Sequence, residues 1–332
     1  MVLMINVVGG SGFIGSALCR RLCKTKSYSF RIIDKSQSLF FPEKIKIADV
    51  RNVSDLEECI EQTAKIINLA AEHRDDVLPL SLYQDVNVTG AVNVCNAARK
   101  KNVKTIVFTS SVAVYGFAPI GTSESGKIAP FNEYGRTKYE AEQVYKAWQA
   151  EFPFDRTLVI VRPTVVFGER NRGNVFNFLK QIASGRFVMV GGGQNRKSMA
   201  YVENVAAFIE HALTFKPGVH IYNYIDKPDF TMNALVCHVN QLLGRSAKIR
   251  MRLPYALGLI VGKMFDLVAK VANKKFPISA IRVKKFCANS VYESALAETG
   301  FVPPFPLMDA IERTVRYEFI EDHSSEPLFY SE

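Results

Sequence analysis

Tyr134 and Lys138 in NEYGRTKYEAE lie four residues apart at the start of a helix expected from about Glu133, so both project from one face. A tyrosine phenol has a pKa of about 10, too high for a base at neutral pH, and a neighbouring ammonium favours the phenolate. Ser111 in TSSVAVYG stands twenty-three residues earlier, at the end of an apolar run that reads as a strand. Its hydroxyl can hold a substrate oxygen while Tyr134 removes the proton from that oxygen. A tyrosine and a lysine at this spacing arise often by chance on an exposed helix. The serine makes the set a candidate for oxidising an alcohol, and such chemistry needs a hydride acceptor.

The segment VVGGSGFIGSAL offers a place for one. Gly9, Gly12 and Gly15 recur every three residues between an apolar strand and a helix from about Phe13. Gly9 permits the tight turn, Gly12 lets backbone approach a pyrophosphate, and Gly15 allows the helix to pack closely. A glycine repeat alone equally describes a plain strand-to-helix turn. Here the second strand ends in Asp34, placed to accept a hydrogen bond from a ribose 2′-OH and to repel a 2′-phosphate. NAD is therefore expected rather than NADP, with Lys35 as the feature that speaks against it. Asp49 in IADVRN follows the third strand and can reach an adenine edge, or can simply cap a turn. The expected cofactor contacts are Gly9, Gly12, Phe13, Ile14, Gly15, Asp34, Asp49, Val50, Tyr134 and Lys138.

These residues need a scaffold that brings strand ends together. Short apolar runs alternate with helical patterns through the first half: MINVVGG, FRIID, KIINLAA, KTIVFTSS and RTLVIVRPTVVFG. That alternation predicts an α/β protein with a Rossmann-like doubly wound parallel sheet. Residues 1–168 form the expected NAD-binding domain, with 199–226 (YVENVAAFIEHAL and HIYNYID) returning to it. Residues 169–198 and 227–332 form a smaller, mixed substrate lobe, which includes the packing helix FPLMDAIERTVRYEF and a tail that frays after about Glu321. His73, Arg74, Asp75 and Asp76 follow the fourth strand, where they either shape a pocket or pair with one another.

Composition excludes several classes. The six cysteines and five histidines are scattered without metal-ligand spacing, so no metal is expected and the thiols are expected to stay reduced. MVLMINVV lacks the basic and apolar regions of a signal peptide, and no apolar run approaches the roughly 20 residues that span a bilayer. The net charge of +10 is concentrated: from Lys248 to Lys285 there are ten Lys/Arg and one acid, Asp266. Such a block favours a phosphate or an anionic membrane surface. It has no aromatic interleaving and no nucleic-acid motif, so no nucleic-acid partner is expected.

With Gly9-x-x-Gly12-x-x-Gly15, Ser111, Tyr134-x-x-x-Lys138 and RPTVVFGERNRG in place, the chain resembles the extended short-chain dehydrogenases/reductases of the nucleotide-sugar epimerase type. The resemblance implies tightly held NAD, with Ser111, Tyr134 and Lys138 catalytic at C4 of a hexose. Dehydratases of that family carry acidic residues just after the active-site serine or threonine. Here Val112 and Ala113 stand there, leaving C4 epimerisation or simple redox chemistry. The family's usual diphosphate arginine before the YVED-like motif is replaced by Lys197, with Arg196 beside it. A second family arginine is kept as Arg282, but Lys285 stands where a ribose-binding aspartate is usual, and lysine cannot accept a hydrogen bond. The resemblance thus implies that Lys197 and Arg282 hold a diphosphate while nucleoside recognition is weakened.

INLAAEHRDDV, SLYQDVNVTG, KSMAYVEN, YNYIDKPD and RVKKFCA are similar to the branch that epimerises GlcNAc to GalNAc on undecaprenyl diphosphate for O-antigen assembly. That implies a lipid-linked or nucleotide-linked amino sugar as substrate and work at the cytoplasmic face of the inner membrane, with peripheral association. LPYALGLIVGKMFDLVAKVANKKF supplies a helix, 254–273, apolar over most of its circumference with Lys263, Asp266, Lys270 and Lys274 on one stripe. It lies on the membrane surface, or it is buried in the lobe or in a homodimer. The competing functions are a soluble UDP-N-acetylglucosamine 4-epimerase or nucleotide-sugar 4-reductase, and a non-catalytic NAD-binding membrane scaffold.

Overall fold

The computed structural model describes residues 3–26, 28–74, 77–272, 279–323 and 325–330. Its strands are β1 (Met4–Val8), β2 (Ser29–Asp34), β3 (Ile45–Ile47), β4 (Lys65–Asn68), β5 (Thr105–Thr109), β6 (Thr157–Pro163), β7 (Val165–Phe167), β8 (Met189–Val190), β9 (Arg196–Tyr201), β10 (Gly218–Tyr224), β11 (Asp226–Thr231) and β12 (Arg252–Leu253). Its helices are α1 (Phe13–Thr25), α2 (Val53–Cys59), α3 (Ser81–Tyr83), α4 (Gly90–Lys100), α5 (Glu133–Ala150), α6 (Asn174–Ala183), α7 (Val202–Ala212), α8 (Met232–Leu242), α9 (Tyr255–Ala272), α10 (Ala280–Cys287) and α11 (Leu307–Phe319).

The main sheet has seven parallel strands in the order β10-β6-β5-β4-β1-β2-β3. Successive residues of a strand point to opposite faces, and both faces are covered. Ile67 and Val107 enter a core with α1 and α7, whereas Ile66, Ile106 and Phe108 enter another with α2, α4 and α5. Each fully buried aliphatic side chain there contributes roughly 1.5–3 kcal/mol. The strand order turns back between β1 and β4, which opens a crevice at the carboxyl ends of these strands. This is the doubly wound sheet predicted from the alternating runs.

A smaller sheet, β11-β9-β7, and the pair β12-β8 lie in the later part of the chain. Met199–Tyr201 belong to β9 in the smaller sheet, so the chain rejoins the main layers at α7. The core on the α1 face continues without a break through Leu179 and Ile182 of α6, Leu235 and Val239 of α8 and Ile311 of α11. The second part of the chain is therefore packed onto the first through shared hydrocarbon.

Two elements differ from expectation. The tail beyond Glu321 does not simply fray. Phe329 is buried, its N–H donates to Arg170 O at 2.9 Å, and its carbonyl accepts from Arg172 N at 2.7 Å. Its ring lies 5.8 Å from Phe13 and 6.0 Å from Phe40, so one aromatic anchors a polar terminus beside the glycine turn. Helix α9 is not buried on three sides. It packs through glycines: a Cβ at Gly258 would meet Val190 at 2.6 Å, and one at Gly262 the Ala280 backbone at 2.8 Å. The opposite face carries Leu257, Ile260, Met264 and Leu267, exposed by 49, 54, 63 and 65%. Asp266, in the expected charged stripe, instead accepts from Ala280 N at 3.1 Å and ties α9 to α10. Lys274, Asp75 and Asp76 lie outside the described residues, as does the side chain of Lys270. Among the described residues, no helix is long and apolar enough to cross a membrane.

Candidate active site

The glycine turn sits at the end of β1, beside the crevice. Gly9 has φ +77°, and a Cβ there would meet Ala70 N at 2.5 Å, so only glycine serves. A Cβ at Gly15 would meet Gly10 Cα at 2.5 Å, so this glycine sets the close approach of α1 to the turn. Gly12 by contrast is open, with its nearest neighbour, Gly9 O, at 3.5 Å. It begins α1 with no side-chain cap and no acid in the first turn. The first N–H groups of α1, at Phe13, Ile14 and Gly15, have no partner within the helix and stand at the positive end of its dipole. This cradle fits a pyrophosphate.

Asp34 closes β2 as predicted. Its carboxylate accepts from Ser11 N and Ser36 N, each at 3.0 Å, and so fixes the glycine turn against the strand end. A carboxylate has about four lone-pair positions, which leaves capacity for a ribose hydroxyl. Asp49 is turned to Arg51, whose Nη2 donates at 2.6 Å and whose Nε donates at 3.0 Å. That hydrogen bonding holds its carboxyl below the usual carboxylate range. Asp49 thus closes its own turn through the backbone and side chain of Arg51. Val50 is buried, and its carbonyl accepts from Asn93 Nδ2 at 2.9 Å.

Ser111 follows β5 and caps a tight helical turn, Val112–Tyr115, accepting from Ala113 N at 3.1 Å. Tyr134 and Lys138 lie in the first turns of α5, which Asn132 caps by accepting from Gly135 N at 3.0 Å. The Ser111 side chain is near enough to the Tyr134 phenol to act on its pKa, so residues twenty-three apart in sequence meet. Lys138 is 1% exposed, with Nζ 4.2 Å from the centre of the Phe108 ring. The expected lowering of the Tyr134 pKa by Lys138 is not found. Burial pushes the phenol up, Ser111 holds it down in part, and Tyr83 adds to the rise. Burial also pushes the Lys138 amine down to about 7, against the opposing charge of Glu142. Desolvation penalises charge on both groups.

Residues not foreseen brace this site. Arg162 and Glu142 form a buried ion pair at 2.6 Å, and Ser110 donates to the same carboxylate at 2.6 Å. The pair ties α5, one turn beyond Lys138, to β6 and to the residue before Ser111. Asn87 lies in the turn that links α3 to α4. It donates to Thr137 Oγ1 and to Glu72 O, each at 3.0 Å. Glu72 accepts from the backbone of His73 and pairs with Arg74 at 3.2 Å, and the Tyr83 hydroxyl donates to Arg74 O. The partner of Arg74 is thus Glu72, a residue outside the His73–Asp76 stretch. RPTVVFG and VNVTG flagged Arg162 and Asn87 as motif text, but nothing in sequence tells that they are buried partners.

Lys197, on β9, reaches α10, which carries Arg282. Lys197 Nζ donates to Lys285 O at 2.7 Å, and burial pushes its amine down to about 8. Arg282 is exposed in the first turn, with its N–H bound to the capping Ser279 at 3.2 Å.

Residues 5–224, which hold the glycine turn, Ser111, Tyr134 and Lys138, match the NAD dependent epimerase/dehydratase family. The chain belongs to that family. It is 47% identical over 332 residues, 99% of each chain, to N-acetyl-alpha-D-glucosaminyl-diphospho-ditrans,octacis-undecaprenol 4-epimerase of Escherichia coli O157:H7. A UDP-glucose 4-epimerase of Vibrio cholerae is 28% identical over 62% of this chain and 65% of its own. Among solved structures, UDP-N-acetylglucosamine 4-epimerase from Bacillus cereus superposes with a TM-score of 0.74 at 18% identity, covering 99% of this chain and 100% of that one. UDP-glucuronic acid 4-epimerase from Bacillus cereus in complex with NAD gives 0.73 at 20% identity, covering 95% and 98%. These two likenesses establish the extended epimerase fold.

Proposed function

We propose that the chain is an NAD-dependent 4-epimerase that interconverts GlcNAc and GalNAc on undecaprenyl diphosphate, for O-antigen or related surface polysaccharide. One observation carries the substrate assignment: identity of 47% runs from end to end against an epimerase of that lipid-linked sugar, α9 and α10 included. The two nucleotide-sugar 4-epimerases of known structure share the fold at about 20% identity.

In this reading Gly9, Gly12, Phe13, Ile14, Gly15 and Asp34 hold the cofactor, and Lys138 holds its nicotinamide ribose. NAD, when bound, accepts a hydride and gives it back. Ser111 holds O4 of the hexose, and Tyr134 takes the O4 proton as the C4–H bond breaks. The 4-keto sugar turns in the pocket while Lys197 and Arg282 keep its diphosphate in place. Tyr134 then returns the proton to O4 on the inverted carbon. No net electrons are consumed, so purified protein is expected to form the C4 epimer without added NADH or NADPH. A stoichiometric need for either would make it a reductase.

The exposed face of α9 supports work at a membrane surface. Leu257, Ile260, Met264 and Leu267 are exposed together, and the flanking segment is strongly basic. An apolar face of this kind inserts at the headgroup boundary while lysines meet anionic lipid. Phe265 is half-buried on the inner side, so the residues to change are Ile260 and Leu267. Ile260→Glu with Leu267→Glu is expected to cut partition onto phosphatidylglycerol vesicles at least about tenfold, with NAD content and Tm retained. A stable double variant that still pellets with vesicles would end the membrane reading, and conversion of a dimer to a monomer would assign the face to a second copy.

A further inference from the structure

Exposed apolar side chains just before the helix that carries Tyr134 meet α10 through Lys285. Phe131 immediately precedes Asn132, the cap of the helix that carries Tyr134. Its ring stacks on Phe117 at 4.7 Å, yet Phe131 is 44% and Phe117 57% exposed. Two stacked aromatic rings left in water are unusual when each can be buried at a gain. Lys285 Nζ lies over the Phe131 ring at 4.9 Å, and its carbonyl is the acceptor for Lys197. One turn back on the same face of α10 is Ile281, 46% exposed. It directly follows Ala280, whose backbone meets Gly262 and Asp266 of α9.

We infer that Phe117, Phe131 and Ile281 form a subsite for the first isoprene units of a polyprenyl diphosphate, with Lys285 where hydrocarbon meets diphosphate. This rests on the lipid-linked reading above and adds the place where the lipid is bound. The diphosphate leaves the hexose at C1, across the ring from C4, so the hydrocarbon begins a sugar and a diphosphate away from Tyr134. Tyr134 for the sugar, Lys197 with Lys285 for the diphosphate, Phe131 with Phe117 for the first isoprene, and Ile281 beside α9 for the bilayer side are the groups such a substrate needs. A nucleobase suits the surface less well. The rings cover one face of each other, a lysine covers part of Phe131, and a uracil imide edge needs hydrogen-bond partners placed around it.

The test avoids membranes altogether. Methyl-diphospho-GlcNAc and geranyl-diphospho-GlcNAc, both in free solution, are offered to the NAD-loaded full chain. Each buried methylene is worth about fourfold in affinity, so even half-efficient contact with one isoprene unit predicts a KM at least about tenfold lower for the geranyl compound. Phe117→Ala with Phe131→Ala is expected to erase that difference, with kcat for both compounds unchanged within about twofold. Phe154→Ala, at a fully separate exposed phenylalanine, is expected to preserve it. Equal KM values in the wild type would overturn the subsite, whether or not the double variant folds. So would a double variant that raises both KM values alike, because the rings would then merely support α5. In those cases turnover of undecaprenyl-diphospho-GlcNAc would leave the lipid-linked reading intact. If only UDP-GlcNAc is turned over and the double variant raises its KM, the rings hold the base and both readings fall.

Discussion

Tyr134→Phe is expected to lower kcat about a thousandfold, ~4 kcal/mol of barrier, while NAD content and Tm stay at wild-type values. The phenol oxygen is the only atom removed. It is the group that meets Ser111, and burial keeps it protonated at neutral pH in the chain by itself. Its work as a base therefore depends on cationic charge gathered beside it, from Lys138 and from the cofactor's nicotinamide. Lys138 titrates near 7 because it is desolvated, so its ammonium is present only in part at neutral pH. The phenyl ring keeps the packing and loses the proton path. Single-turnover formation of the C4 epimer, with bound NAD measured on the same sample, checks this. Turnover within tenfold of wild type would move the proton transfer to another group.

Glu142→Ala is expected to be the most damaging substitution for stability, at about 3–5 kcal/mol, because it leaves the Arg162 guanidinium buried and unpaired. An apparent Tm lower by roughly 4–7 °C follows for a chain of this size. Ser110 loses its acceptor at the same time, so the end of β5 is freed from α5 and the Ser111–Tyr134 contact loosens. A fall in kcat is therefore expected even at temperatures where the variant is folded. Glu142→Leu with Arg162→Met removes both charges and is expected to regain part of the Tm. A double variant as unstable as Glu142→Ala would mean that volume, not charge, is the issue.

How far sequence carried the account differs from element to element. The glycine turn, Asp34 at the end of β2, and Tyr134 with Lys138 on one helix face are local features, so backbone periodicity sufficed to place them. The meeting of Ser111 with Tyr134 required the parallel sheet, which the alternation of runs also predicted. What escaped depends on burial partners far apart in the chain. Glu142 and Arg162 are unremarkable on their own strands of text, and only packing of α5 against β6 makes them a pair. Spacing likewise reports the proximity of Tyr134 to an ammonium but not the loss of water around both groups, which pushes the phenol up in the chain by itself. In α9 the hydrophobic pattern was evident, but two glycines decide which side faces the protein. That small residues, rather than the large apolar ones, make the contact is a property of the neighbouring Ala280 and Val190 surfaces. Phe329 looked like part of a loose polar end because its partners, Phe13 and Phe40, sit some three hundred residues away.

The central claim is that the sugar is presented on a polyprenyl diphosphate. Its most direct test is kcat/KM for undecaprenyl-diphospho-GlcNAc in detergent micelles set beside that for UDP-GlcNAc, with the same NAD-loaded enzyme and no added reductant. A preference of at least about a hundredfold for the lipid-linked sugar is expected, since the family resemblance puts Lys285, which cannot accept a hydrogen bond, where a ribose-binding aspartate is usual. Equal efficiency on both sugars, or turnover of UDP-GlcNAc alone, would contradict it.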